Sequence, residues 1–223
     1  MGVGERDLDL VEAARGGAPE GERRTELSDD GTLRVEFVAR PEVGMAFLQG
    51  VPYVAALGVA DALASLGAHG VGLAWPHDVT GPEGLLASVG TTAGYGEGMF
   101  VVCRAELDGV TPQTADPLAD AVVEHGLARV SEWAAAIRRA GGAATPLGPV
   151  LDEVFERTPL MGRPVRVVYP NGNLAARGTL AGMDVWGRAT VRAASGREVE
   201  VAAEQASIEP DPDAAAPEGE ARD

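Results

Sequence analysis

Gly72-Leu73-Ala74-Trp75-Pro76-His77-Asp78-Val79 is the stretch on which the reading of this chain turns. With Val71 before it, its first half reads as a short buried strand. The strand runs into a Trp-Pro-His-Asp loop. On local chemistry alone Asp78 is a turn or capping residue.

Working outward, residues 85–92 and 99–107 read as two further strands. The segment between them, Ala93-Gly94-Tyr95-Gly96-Glu97-Gly98, reads as a glycine-rich turn, which makes the pair a hairpin. Its glycines do not form a phosphate loop, because no Lys-Ser or Lys-Thr follows and no helix starts there. Upstream, Arg34-Val35-Glu36-Phe37-Val38-Ala39 alternates polar and apolar, the period of a strand. Leu48, Val51, Ala55, Val59, Leu63 and Leu66 recur at helical spacing, so residues 45–66 are predicted helical. Pro52 stands at a kink or in the first turn, and Gly67 ends the helix. Residues 116–140 carry an apolar stripe of Leu118, Val122, Leu127, Val130, Trp133 and Ile137, ended by Gly141-Gly142. A shorter helix over 147–157 closes the α/β part.

After Pro159 the pattern changes. Strands are expected over 165–169, 174–183, 188–193 and 198–202, with Pro170-Asn171-Gly172-Asn173 as a strong turn. Short strands with tight turns in so few residues read as a small barrel. The expected organisation is a disordered tail over 1–26, an α/β domain over 27–158, the barrel over 159–209 and a disordered acidic tail over 210–223. Within the first tail, residues 7–14 could form a short helix stopped by Gly16-Gly17-Ala18-Pro19.

At 223 residues the chain can bury a genuine core. Aromatic residues are only 4%, so alanine, valine and leucine must fill it. A net charge of −16 repels phosphate backbones and anionic lipid, which argues against nucleic acid and membrane partners. No apolar run reads as a membrane span and the N-terminus does not read as a signal peptide, so the cytoplasm is the expected location. The chain contains no lysine; all 18 basic residues are arginine. No lysine is therefore present to act as a base, a Schiff-base former or a phosphate ligand. Cys103, the single cysteine, lies in an apolar run and reads as a buried hydrophobe. His69 and His125 read as ordinary helix residues, and no histidine pair has metal-ligand spacing.

Three stretches in order resemble the biotin protein ligase (biotin/lipoate ligase) family, over about residues 27–208. Ser28-Asp29-Asp30-Gly31-Thr32-Leu33-Arg34-Val35 resembles the family's S-P-x-G-x-L-x-x segment. Trp75-Pro76-His77-Asp78-Val79 resembles its K-W-P-N-D-[VIL] motif. Leu160-Met161-Gly162-Arg163-Pro164-Val165, with Arg177-Gly178-Thr179-Leu180-Ala181-Gly182-Met183-Asp184 and Trp186-Gly187, resembles its C-terminal barrel. The resemblance implies an α/β (α+β) fold, a mixed sheet with flanking helices followed by a small SH3-like β-barrel. It implies biotin, ATP and magnesium as ligands, and a biotin carboxyl carrier domain as partner. In the family, biotin attacks ATP to give biotinyl-adenylate, and a carrier lysine then attacks the adenylate. Mapped by motif, the candidate ligand-binding residues are Trp75, Pro76, His77, Asp78, Leu85, Ala87, Ser88, Arg104 and Arg24, with Asp78 the candidate magnesium ligand.

The sequence departs from the family where the chemistry lies. His77 stands for asparagine. Leu85 stands where K-L-A-G-I carries its lysine. Of the loop G-R-G-R-x-G-R only Gly21-Glu22-Arg23-Arg24 remains, and the Ser/Thr pair that meets biotin has no counterpart. Around Cys103-Arg104-Ala105-Glu106-Leu107 the family reads G-x-G-x-N, so charged side chains appear in a glycine segment. Three readings follow. The chain is a catalytically deficient ligase-like protein that binds a small ligand or a carrier; it is an active, divergent ligase using arginines such as Arg104; or it is an interaction module that keeps only the fold.

Overall fold

The computed structural model describes residues 9–214. The N-terminal segment is the first departure from expectation. Within 9–26, expected as a tail, lie helix α1 (Leu10–Arg15) and strand β1 (Arg23–Leu27). The part of the expected 7–14 helix before residue 9 lies outside the described residues. Asp9 caps α1, its Oδ1 accepting from the Val11 N–H at 3.3 Å. Leu10 and Ala14 pack on Val38, Phe100 and Val102. Arg40 fastens the segment by donating to the carbonyls of Ala14 (2.8 Å), Ala18 (2.7 Å) and Glu97 (3.1 Å). Helix α1 falls on the short helix expected over 7–14, whereas β1 was not read, because it leaves most of its side chains in water.

The larger sheet has the order β1-β2-β6-β5-β4-β3, with β2 at Leu33–Ala39, β3 at Gly72–Ala74, β4 at Asp78–Gly81, β5 at Gly84–Gly96 and β6 at Gly98–Leu107. Its strand pairings are all antiparallel. The segment 93–98, expected as a turn, is mostly strand: β5 runs through Gly96 and only Glu97 separates it from β6. Its glycines permit close packing. A Cβ on Gly94 would stand 2.5 Å from the Phe100 ring, and one on Gly96 2.2 Å from the Arg15 carbonyl oxygen.

Two helices cover one face of this sheet. Helix α2 (Val51–Ser65) follows a 3-10 turn at Met45–Gly50, with Pro52 in its first turn as expected. Helix α3 (Pro112–Ala140) starts four residues before the predicted point. Thr111 and Thr114 exchange N-terminal hydrogen bonds, and Pro117 is carried inside the helix. They pack over Leu33, Val35, Phe37, Ala87, Val89, Cys103, Ala105 and Leu107. Burial pushes the Cys103 thiol up to about 12. The helices meet at glycines: a Cβ on Gly58 would lie 2.7 Å from Gly126 Cα. Met45–Ser65 does have the length and hydropathy of a membrane span, contrary to the sequence reading. Two thirds of it is buried in the protein, as a core helix. Leu66, expected on its apolar stripe, is instead exposed at its end.

Helix α4 (Leu151–Glu156) is shorter than predicted. It closes an ion-pair cluster in which Arg129 holds Asp61 (2.6 Å) and, through two nitrogens, Glu153 (2.8 Å each). Arg157 also reaches Asp61 at 2.6 Å. The C-terminal sheet contains β7 (Pro164–Val168), β8 (Leu174–Met183), β9 (Ala189–Arg192), β10 (Glu198–Val201) and β11 (Ser207–Pro210) in the order β10-β9-β8-β7-β11. It is an open antiparallel sheet, and β11 is a strand the sequence reading did not separate. Asp211 and Asp213, placed in the acidic tail, pair with Arg177 at 2.9 and 2.7 Å. Residues 215–223 lie outside the described range.

Candidate functional site

The nine candidate residues fall in three places. Trp75, Pro76 and His77 form the tight link between β3 and β4 and face the C-terminal sheet. The Trp75 indole Nε1 donates to the Gly187 carbonyl at 3.0 Å, and the Tyr53 hydroxyl donates to the same oxygen at 2.9 Å. Gly187 has φ +88°, and a Cβ there would stand 2.4 Å from the Tyr53 oxygen. His77 meets the Tyr53 ring edge-on at 5.6 Å. Burial pushes its imidazole below the ordinary histidine range, with the Asp78 carboxylate opposing that shift. Its Nδ1 is shielded from solvent and has no hydrogen-bond partner. Asp78 opens β4, and its Oδ1 accepts from the Val89 N–H at 3.1 Å, tying β4 to β5.

The second place is β5. Ala87 is in the core opposite Leu107 and under the helices. Leu85 is 56% exposed and carries no charge to replace a lysine. Ser88 faces the other way, across from Glu106.

The third place is the face of the large sheet opposite the two helices, where Arg24 and Arg104 lie. The strand register arranges charge there in two rows. Arg24, Glu36 and Arg104 stand side by side on β1, β2 and β6, and Gly90 on β5 completes the row. Glu26, Arg34 and Glu106 form the next row, completed by Ser88. Neighbours alternate in sign both across and along the strands. Arg104 reaches Glu36 Oε1 with Nε at 2.6 Å and Nη2 at 2.5 Å. Arg34 reaches Glu106 at 2.9 Å and Glu26 at 4.0 Å. Asp9 joins Arg24, Glu26, Arg34, Glu36 and Arg104 around a cavity of about 280 Å³. Sequence reasoning picked out Arg24 and Arg104 but missed Glu36, Arg34 and Asp9. Alternation marked Arg34 and Glu36 as one face of β2; only the register shows what they face.

These residues do not fit a magnesium nucleotide. Three guanidiniums share the face with four carboxylates, so no net positive field awaits a triphosphate. One oxygen of Asp78 is committed to a backbone N–H. Among the described residues no group of three or more His, Cys, Asp or Glu could hold a metal.

The sequence matches no protein-family model and no curated protein. Solved structures do match. A biotin protein ligase from Aquifex aeolicus is 17% identical over 90% of this chain and 93% of its own, with a TM-score of 0.63. The Aquifex ligase in complex with biotin and ATP is 19% identical over 84% and 82%, with a TM-score of 0.59. A biotin protein ligase-like protein of unknown function from Silicibacter sp. TM1040 is 21% identical over 90% and 91%, with a TM-score of 0.58. Two antiparallel sheets, flanking helices and an open C-terminal sheet thus give this chain the fold of the biotin protein ligases.

Proposed function

We propose that this protein is a member of the biotin protein ligase family that does not activate biotin: a ligase fold kept for recognition, without adenylation chemistry. The observation that carries this reading is the alternating charge on the open face of the sheet. Adenylation brings a carboxylate against a triphosphate and needs cations fixed in advance and not otherwise engaged. Arg104 is the residue best suited to stand in for missing ones, and it is held by Glu36, which is 5% exposed. Drawing Arg104 away would leave a buried carboxylate without its partner. Arg104 and Glu106 also cover strand backbone where the family resemblance implies glycine, so a ring laid on β6 would meet paired charges rather than peptide. The divergent-ligase alternative requires a free Arg104 and is set aside on that ground.

A biotin carrier domain remains the partner that the fold suggests, met as a docking partner and not as a substrate. The test is direct. The protein is incubated with biotin, ATP and magnesium beside a competent ligase, and biotinyl-adenylate and pyrophosphate are measured. The expected result is neither product above the blank. Adenylate formation would overturn the reading. A carrier domain titrated into labelled protein then separates a carrier-binding protein from one that retains the fold alone.

A further inference from the structure

Strand β1 is one outer edge of the large sheet. Just beyond its ends, the Val38 N–H donates to the Glu22 carbonyl at 2.9 Å and the Ser28 N–H to the Thr32 carbonyl at 3.0 Å. Along an antiparallel strand the backbone groups alternate in direction, so Arg24 and Glu26 also turn theirs toward β2. Arg23, Thr25 and Leu27 turn their N–H and C=O groups outward. Among the described residues no other backbone group meets them there. Thr25, at the centre of the strand, is exposed. The opposite edge of the sheet differs. Strand β3 has only three residues, and its Leu73 N–H is already taken by the Arg157 carbonyl at 2.6 Å.

We infer that the β1 edge is a self-association surface, on which a second copy of this chain pairs antiparallel about a twofold axis at Thr25. An open edge invites another strand, and natural sheets guard such edges with charge. A guard of one sign would repel a second copy. Arg24 and Glu26 instead carry opposite signs and stand one residue to either side of Thr25. Pairing centred on Thr25 sets Arg24 of each copy against Glu26 of the other, on the same face of the sheet. The backbone agrees. Thr25 would meet Thr25 and Arg23 would meet Leu27, all of them residues with outward N–H and C=O groups to exchange. The charged rows agree too. The row Arg104, Glu36, Arg24 would run on into Glu26, Arg34 and Glu106 of the second copy with its alternation of sign unbroken. Helix α3 lies mainly over β2, which would stand three strand spacings, about 14 Å, from its counterpart. Packed helices need only about 8–10 Å, so the two copies of α3 leave room for the pairing.

The edge is short, so the interface is small and dimerisation is expected at about 0.1 mM. A net charge of −16 pushes copies apart at low salt, so the whole chain is sedimented in about 0.15 M salt, from about 0.01 to 1 mM protein. Thr25→Pro removes the central N–H at a position where an edge strand tolerates proline, and should abolish association over this range. Glu26→Arg sets like charges against each other on both sides of the axis and should weaken dimerisation about tenfold or more. Arg24→Glu should do the same with carboxylates. Mixed in equal amounts, these two variants regain opposite charges across the axis, and the mixture should dimerise like the parent. A parent that stays monomeric at about 1 mM overturns the proposal and leaves the edge to a strand of another protein. Association that Thr25→Pro leaves unchanged overturns it too, by placing the contact elsewhere. So does loss in both folded charge variants that mixing fails to restore, since the charges would then act within one chain. None of these outcomes depends on whether biotin is activated.

Discussion

Arg104 on β6 and Glu36 on β2 stand directly opposite each other, and two guanidinium nitrogens converge on one oxygen of a carboxylate that the sheet has almost removed from water. The pair decides whether the open face can hold an anion. Glu36→Gln removes the buried charge and leaves Arg104 with a weaker acceptor. Loss of the charge-assisted bond should cost roughly 2 kcal/mol, because Arg104 is itself half exposed. The same change frees positive charge. Pyrophosphate at millimolar concentration should raise the melting temperature of Glu36→Gln and leave the parent unmoved. Equal shifts in both proteins would mean that the face is not self-neutralised.

A different cluster carries the acid sensitivity. Burial pushes the Asp61 carboxyl up, but hydrogen bonds and charge from Arg129 and Arg157 outweigh it and hold the group below its ordinary value of 3.8. A carboxyl depressed on folding adds stability that is fully present above the unfolded value and is lost as pH falls through the folded one. Urea unfolding between pH 5 and pH 2.5 should therefore show stability falling with pH, mostly below about 3.8, and less steeply in Asp61→Asn. Arg129→Met should cost about 2 kcal/mol at neutral pH, since it leaves Asp61 and Glu153 to share Arg157 alone. A loss under 1 kcal/mol would place the cluster among ordinary surface pairs.

The contact between the long helices tolerates no side chain. A Cβ on Gly126 would stand 2.5 Å from the Phe37 ring, and one on Gly58 would strike the Gly126 backbone at 2.7 Å. Alanine is a better helix former than glycine by about 1 kcal/mol, so propensity alone predicts stabilisation. Overpacking against a fixed backbone should win, and Gly58→Ala is expected to lose about 2–3 kcal/mol. Gly142→Ala is the control, because nothing stands within 4 Å of a Cβ there. Denaturant midpoints of the two variants should move apart, with only Gly58→Ala falling.

How much of this was visible in the residues alone follows from the length and burial of each element. Strands β5 and β6 and helices α2 and α3 announce themselves, because each is long enough for its period to repeat. Strands β1 and β4 do not. The first turns most of its side chains to water, and the second is four residues opening on the Asp78 that local chemistry assigns to a loop. The charged rows on the sheet were half legible. Alternation places Arg34 with Glu36 and Arg104 with Glu106, but a shift of one residue in register would turn either strand over. The contact of Trp75 with the Gly187 carbonyl was not legible at all, because 112 residues separate the two.

Leu85 offers the sharpest test of the proposed function, since the resemblance sets it where the ligase family carries a lysine. It is exposed at the start of β5 and faces solvent, so Leu85→Lys should fold with stability unchanged within about 0.5 kcal/mol. If the lysine alone were missing, restoring it would bring back measurable biotinyl-adenylate. We expect none. The other cations of the face stay bound to Glu36 and Glu106, and Arg104 still covers the strand. Adding Arg104→Gly and Glu106→Gly should open the backbone of β6 and release Arg34 toward Glu26 alone. That triple variant, assayed by calorimetry with biotin, should be the first of the series to give heat. Heat from Leu85→Lys by itself would place the defect in one side chain, and the charged rows would then be a bystander.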